Sequence, residues 1–129
     1  MNSKLLMIAS SLTSGILGLA ATFLSSEILA YCNINAAGIA PLLLQVTGAL
    51  YVGFAMMNWM AKDNIIGGIY SKPLAMGNFT HYLIAALALI KDITVFYELK
   101  ILIVLAVLYA VFAMLFGWLA FSAPTAKKH

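Results

Sequence analysis

The sequence predicts an all-α integral membrane protein, a four-helix bundle whose antiparallel spans run alternately up and down. Of its 129 residues, 64% are apolar and 9% are charged, whereas ordinary soluble domains are about 25% charged. Each of four apolar windows is long enough to cross a hydrocarbon core about 30 Å thick, at about 1.5 Å of helix per residue. We expect these spans, 5–24, 41–61, 74–90 and 101–121, to form a single transmembrane domain over 1–129 that ends in a polar tail, 122–129.

The connections between the windows favour helices that pack beside their neighbours in the chain. After the first window, the stretch "SSEILAYCNI" predicts a short helix along the membrane surface, capped by Ser25 or Ser26 and with Glu27 in its first turn. Pro41 suits the first turn of the second span, and Pro73 helps to start the third. Between the second and third spans, Gly67 and Gly68 allow a sharp reversal.

Small residues recur at helical spacing in every window, and they let helix backbones approach closely where no hydrophobic force draws helices together. These rows predict the helix contact faces. They are Ser11, Gly15, Gly18 and Thr22 in the first window, Ala49 and Gly53 in the second, Gly77, Ala85 and Ala88 in the third, and Ala106, Ala110, Ala113 and Gly117 in the fourth.

The charges indicate membrane topology. All 7 basic residues are lysines, and the lack of arginine argues against nucleic acid as a partner, because the planar guanidinium fork that grips phosphate is missing. By the positive-inside rule, the lysine distribution places both termini and the 62–72 loop in the cytoplasm. Lys4, Lys62, Lys72, Lys127 and Lys128 fall on one side of a four-span path, and Lys91 and Lys100 on the other.

Polar side chains within the second and third windows form the candidate ligand-binding site. Asn58 lies about one turn, or about 6 Å, inside Lys62, while Asn78 lies at a similar depth inside Pro73 and His81 follows one turn deeper. Because such groups are costly against lipid, we expect the three to face the bundle and share a pocket near the cytoplasmic surface. Packing contacts between helices are the alternative role. The full candidate set is His81, Asn78, Asn58, Tyr51, Thr47 and Gln45.

The sequence supports no catalytic or metal site and identifies no cofactor. A bis-histidine haem needs two buried histidines, but His129 lies in the tail. A serine hydrolase needs an acid that orients its base, and Asp92 and Glu98 fall at the surface opposite to His81. Cys32 is the only cysteine, which excludes a disulfide framework or a thiolate metal cage within one chain.

Comparison with known four-span families limits the families to which this chain could belong. Small multidrug exporters carry a glutamate in the middle of the first span, whereas Glu27 lies beyond its end, and fluoride channels and membrane glutathione transferases depend on arginines. The plan instead resembles small bacterial four-span membrane proteins of the DoxX-like type, in the span "GALYVGFAMMNWMA", in Pro41 ahead of it and in the short charged hairpin after it. This resemblance implies a multi-pass protein of the bacterial cytoplasmic (inner) membrane, and it assigns no residue roles.

We expect a binding protein rather than an enzyme, one that takes a hydrophobic small molecule or a partner membrane subunit within the lipid bilayer. One alternative is an oligomeric small-solute carrier or channel, and a homo-oligomer is compatible with either function. The second alternative is a membrane enzyme that uses His81 on a lipid or a quinone. Because the outer half of the third span, "LIAALALI", is wholly apolar, a closed pocket fits better than a pore.

Overall fold

The computed structural model describes residues 2–64 and 71–122, which fold into helices without a strand. The helices are α1 (Ser3–Phe23), α2 (Ser25–Tyr31), α3 (Ala40–Ala61), α4 (Lys72–Asp92) and α5 (Lys100–Phe121). All but α2 are long and apolar enough to cross a membrane, so the all-α fold with four spans is confirmed and the chain is a multi-pass membrane protein. The predicted reversal at Gly67 and Gly68 and tail residues 123–129 lie outside the described residues.

Local sequence signals explain where the helices begin. The Asn2 side chain caps α1 by accepting a hydrogen bond from the Lys4 amide at 3.1 Å. Pro41 and Pro73 lie in the first turns of α3 and α4, where the missing amide proton costs nothing. The short helix after the first span is also confirmed, but its predicted cap is not, because Ser25 is already helical and no side chain caps α2.

The first compact unit, Asn2–Lys62, contains α1, α2 and α3. Helices α1 and α3 are antiparallel, since the Ser11 hydroxyl donates to the Ala55 carbonyl at 2.7 Å while Gly18 lies against Gly48. At this crossing, a Cβ atom built on Gly18 would lie 2.8 Å from the Gly48 carbonyl oxygen. Two glycine backbones therefore touch directly, and no side chain separates them.

The second unit, within Asp63–His129, contains α4 and α5. These helices are also antiparallel: Phe79, near the start of α4, packs edge-on against Phe121 with ring centroids 5.4 Å apart, and its ring lies over Gly117. Tyr82, one turn along α4, packs against Phe112 and Phe116 of α5. The expectation that both units form a single domain stays a prediction.

Two of the four small-residue rows identify the contact faces correctly. Ser11 and Gly18 of the first row and Ala106 and Ala113 of the fourth are buried. The second row is wrong by one residue, because Gly48 is buried whereas a Cβ atom on Gly53 would meet open space. The third row is also wrong, because Gly77 and Ala85 are only half-buried and Ala88 is exposed. The buried residues of α4 are Ala75, Asn78, Tyr82 and Ala86.

Candidate functional site

Asn58 lies in a buried polar cluster that joins α3 to α1. Its side chain is 0% exposed, and its amide Nδ2 donates to the Ser10 hydroxyl at 3.0 Å. The Ser10 hydroxyl in turn donates a hydrogen bond to the Met7 carbonyl at 3.1 Å. These bonds satisfy polar groups that are costly to leave unpaired in an apolar interior, so the geometry explains Asn58 as a contact between helices.

Two buried serines of α1 are residues that sequence reasoning missed. Ser10 and Ser14 are buried and lie four residues apart, hence on one face of α1. The signal was present in the sequence, since the run "SSLTS" at 10–14 places several hydroxyls inside an apolar span. Hydroxyls at that depth need partners from a facing helix or from their own backbone.

The predicted residues of α3 differ in exposure. Thr47 is exposed, Tyr51 is half-buried and Asn58 is buried, although all three follow one stripe of the helix. The Thr47 hydroxyl donates to the Leu43 carbonyl at 2.8 Å, within its own helix. Gln45 lies on a different face, and its amide donates to the Ser25 hydroxyl at 3.3 Å, which ties α2 to α3. The structure therefore does not gather Gln45 and Thr47 with Asn58.

Asn78 and His81 belong to the second unit. Asn78 is buried, and its amide donates to the Leu74 carbonyl at 3.0 Å, one turn back in α4. The half-buried His81 ring lies 5.0 Å from the ring centroid of Tyr82 and 6.0 Å from that of Tyr109. The pocket predicted to be common to Asn58, Asn78 and His81 stays a prediction.

An aromatic cluster surrounds the histidine, and sequence reasoning did not find it. Tyr82 stacks on Phe112 with ring centroids 4.9 Å apart, stacks on Phe116 at 5.8 Å and meets Tyr109 edge-on at 5.3 Å. Such pairs contribute about 0.5–1.5 kcal/mol beyond the burial of their area. His81 thus packs against the aromatic rings of Tyr82 and Tyr109.

Each helix pair also carries an apolar groove. The α1–α3 groove has a volume of about 390 Å³. The groove forms where small residues lie between larger ones. It is lined by Ser11, Leu12, Gly15, Ile16, Leu19, Ala55, Met56 and Trp59. The α4–α5 groove encloses about 220 Å³ and is lined by Phe79, Leu83, Ala86, Leu87, Ile90, Ala110, Ala113 and Met114.

The α1–α3 groove is open to the surroundings of the helix pair. Leu12, Ile16 and Met56 on its walls are all more than half exposed, whereas Gly15 and Ala55 between them are small. A Cβ atom on Gly15 would lie 3.6 Å from the Ala55 Cβ atom, so the helices are in ordinary contact beneath the groove. The arrangement is a shallow apolar channel along the outside of a membrane-spanning pair.

One end of the α1–α3 groove carries a fixed positive charge. The Lys62 ammonium lies 3.5 Å from the ring centroid of Trp59, and that ring is a wall of the groove. The distance is well within the range of a cation–π interaction.

Residues 2–64 and 71–122 contain no group of three His, Cys, Asp or Glu side chains that could hold a metal ion.

Comparison with known proteins gives no match to a protein-family model, a curated protein or a solved structure.

Proposed function

We propose that the protein binds a hydrophobic small molecule within the bilayer of the bacterial cytoplasmic membrane, and that the α1–α3 groove is the binding site. The observation that carries this proposal is the groove itself, an open apolar space of about 390 Å³ on a membrane-spanning helix pair. Ligand sites are concave and mostly apolar, with volumes in the range of about 300–1,000 Å³. The groove falls within this range.

The polar residues were predicted to contact a ligand directly, but they support binding by holding the two helices of the groove together. Asn58 and Ser10 hold α1 against α3, and the Ser11 hydroxyl adds a bond to the α3 backbone. These bonds fix the two walls of the groove relative to each other. Their expected role is therefore to shape the site, while apolar side chains touch the ligand.

The channel and enzyme alternatives stay predictions without a supporting observation. A path for a solute needs a continuous polar lining, but Gln45 bonds to α2 and Thr47 bonds within its own helix. A general acid or base must lie within hydrogen-bond reach of the proton that it transfers. The ring contacts of His81 with Tyr82 and Tyr109 are packing contacts and do not by themselves support that role.

Filling the groove tests the proposal. Met56 is 57% exposed and lines the groove, whereas its neighbour Met57 is 47% exposed and points about 100° away around α3. Met56→Trp should abolish saturable labelling of the purified protein by a fatty acid that carries a photoreactive diazirine. Met57→Trp adds the same volume outside the groove and should leave the labelling unchanged.

The matched pair separates binding from stability. Both variants should melt at the temperature of the unchanged protein, because both side chains are exposed. Equal labelling of the two variants would refute the groove as the site. A different outcome would point to a partner protein. If both variants keep the labelling and a second membrane subunit co-purifies that only Met56→Trp releases, the groove holds a helix of that partner instead.

A further inference from the structure

A groove on a membrane-spanning helix pair gains little from apolar contact alone. Apolar walls within a bilayer meet other apolar groups whether or not a particular ligand is bound, so no transfer from water drives binding. Selection among apolar molecules must then come from shape and from a polar contact at the end of the groove. The structure provides that contact in Lys62, whose ammonium lies over the Trp59 ring.

Resting on the proposed function, we infer that the ligand is an anionic phospholipid, with an acyl chain in the α1–α3 groove and its headgroup bound by Lys62. Trp59 joins the two parts of the site, because its ring lines the groove and also lies 3.5 Å from the lysine ammonium. An amphipathic tryptophan ring at this level is typical of the membrane interface. The headgroup would therefore lie at its natural depth.

The charges around Lys62 favour an anion. Lys62 follows the last residue of α3 and is half-buried, so the side chain is held close to the protein. The antiparallel packing brings the first turn of α1, with the exposed Lys4, to the same end of the pair. Asp63 is next in the chain and is exposed. Two lysines and one aspartate therefore give the described side chains at this end of the helix pair a net positive charge.

The predicted topology places this end at the cytoplasmic leaflet. The surface of that leaflet carries anionic lipids and a negative potential, which attracts lysines near the membrane. An ordinary interfacial lysine would gain from this potential without any fixed position. Lys62 differs because the cation–π contact with Trp59 holds the ammonium beside the groove, where one headgroup can be bound together with its own chain.

The test compares phosphatidylglycerol with phosphatidylcholine of identical acyl chains, bound to the full chain in detergent micelles and measured by native mass spectrometry. Phosphatidylglycerol should bind more tightly. Lys62→Gln should weaken its binding about fivefold, the effect of one lysine near a membrane surface, and leave phosphatidylcholine binding unchanged. Lys62→Arg keeps the charge and should keep the preference.

The control has the same change in charge at another place. Lys91 is exposed at the end of α4, and Lys91→Gln should leave the preference for phosphatidylglycerol intact. Equal losses in Lys62→Gln and Lys91→Gln would overturn the inference, because they would indicate attraction to net charge alone. Displacement of phosphatidylglycerol by inorganic phosphate at comparable concentration would also overturn it, since the site would then be one for a free anion.

Trp59 is the positioning residue in this account. Trp59→Leu keeps an apolar wall but removes the ring under the ammonium, so the ratio of the two lipid affinities should fall toward the value for Lys62→Gln. Trp59→Phe retains a ring and should retain most of the ratio. An unchanged ratio in Trp59→Leu would contradict the positioning role.

Failure of this inference is distinguishable from failure of the proposed function. If the unchanged protein binds both lipids equally and Met56→Trp abolishes binding of both, the groove is a chain site and the headgroup inference is wrong. If Met56→Trp leaves the binding of both lipids unchanged, the groove is not the site and both proposals are wrong.

Discussion

The crossing of α1 and α3 predicts opposite effects for the same substitution at two glycines. A Cβ atom on Gly18 would lie 2.8 Å from both the Gly48 carbonyl oxygen and the Val52 amide nitrogen. Both neighbours are backbone atoms, which cannot rotate away, so the helices must separate. A Cβ atom on Gly53, in the middle of α3, would meet nothing within 4 Å. Gly18→Ala should therefore destabilise the protein, and Gly53→Ala should not.

The magnitudes follow from two opposing terms. Replacing glycine by alanine inside a helix favours the helix by up to about 1 kcal/mol. Overpacking of a tight contact costs about 1–3 kcal/mol, and backbone neighbours place Gly18 in the upper part of that range. We expect a net loss of about 2 kcal/mol for Gly18→Ala and a net gain of up to about 1 kcal/mol for Gly53→Ala.

The assay is unfolding of the purified protein in mixed micelles with increasing sodium dodecyl sulfate, followed by circular dichroism. The difference in free energy of unfolding between the two variants isolates the packing cost, because the helix-propensity term is common to both. Gly48→Ala supplies a second test from the partner helix, since its Cβ atom would lie 2.7 Å from the Gly18 carbonyl oxygen. It should be destabilising as well.

Combining the two variants adds a test of direct contact. Once the helices have separated to admit one methyl group, the second finds part of its space already open. The double variant Gly18→Ala with Gly48→Ala should therefore lose less stability than the two single losses added together, as contacting residues do. Equal stability of Gly18→Ala and Gly53→Ala, or simple addition of the two losses, would refute direct contact between the backbones of α1 and α3.

Two further predictions concern the polar cluster and the topology. Asn58→Leu removes the bond to Ser10. Because such contacts between membrane helices average about 0.6 kcal/mol, we expect a small fall in the free energy of unfolding. A fall above about 3 kcal/mol, typical of a broken buried network, would contradict a simple contact between helices. A membrane-impermeant maleimide added to intact cells should label Cys32 but, in a Cys32→Ser background, not Asn64→Cys. The reverse labelling would show that the lysine-based topology is inverted.

The spans were predictable because each is encoded locally. The predicted windows 5–24 and 101–121 differ from α1 (Ser3–Phe23) and α5 (Lys100–Phe121) by at most two residues at either end. Apolar composition marks the interior of a span, while charges and prolines mark its ends. The short helix α2 was also predictable, because the stretch from Ser25 combines small polar residues with a periodic apolar face.

The helix faces were less predictable, because a shift of one residue turns the helix by about 100°. In α3, Gly48 and Ala49 are adjacent and both small, and only the facing α1 decides between them. Gly48 is the residue against Gly18. The contact surface of such a helix is therefore a property of the pair, and one helix alone does not contain the information.

The candidate site was predictable in part for the same reason. Asn58, Asn78 and His81 stand out as polar residues within apolar spans, and the first two are fully buried. The partner of Asn58, Ser10, could not be assigned from one helix. The α1–α3 groove has no local signature either, because it arises where small residues of two helices meet between larger ones.

Fluorescence of the two tryptophans tests the proposed lipid site most directly. Trp59 lines the groove, whereas Trp118 of α5 is 70% exposed and lines neither groove. In phosphatidylcholine bilayers that contain increasing amounts of brominated phosphatidylglycerol, Trp118→Phe reports Trp59 alone and Trp59→Phe reports Trp118 alone. Binding in the groove predicts that quenching of Trp59 saturates at a low fraction of brominated lipid, while quenching of Trp118 follows the bulk fraction. Identical curves for the two tryptophans would contradict a lipid site in the α1–α3 groove.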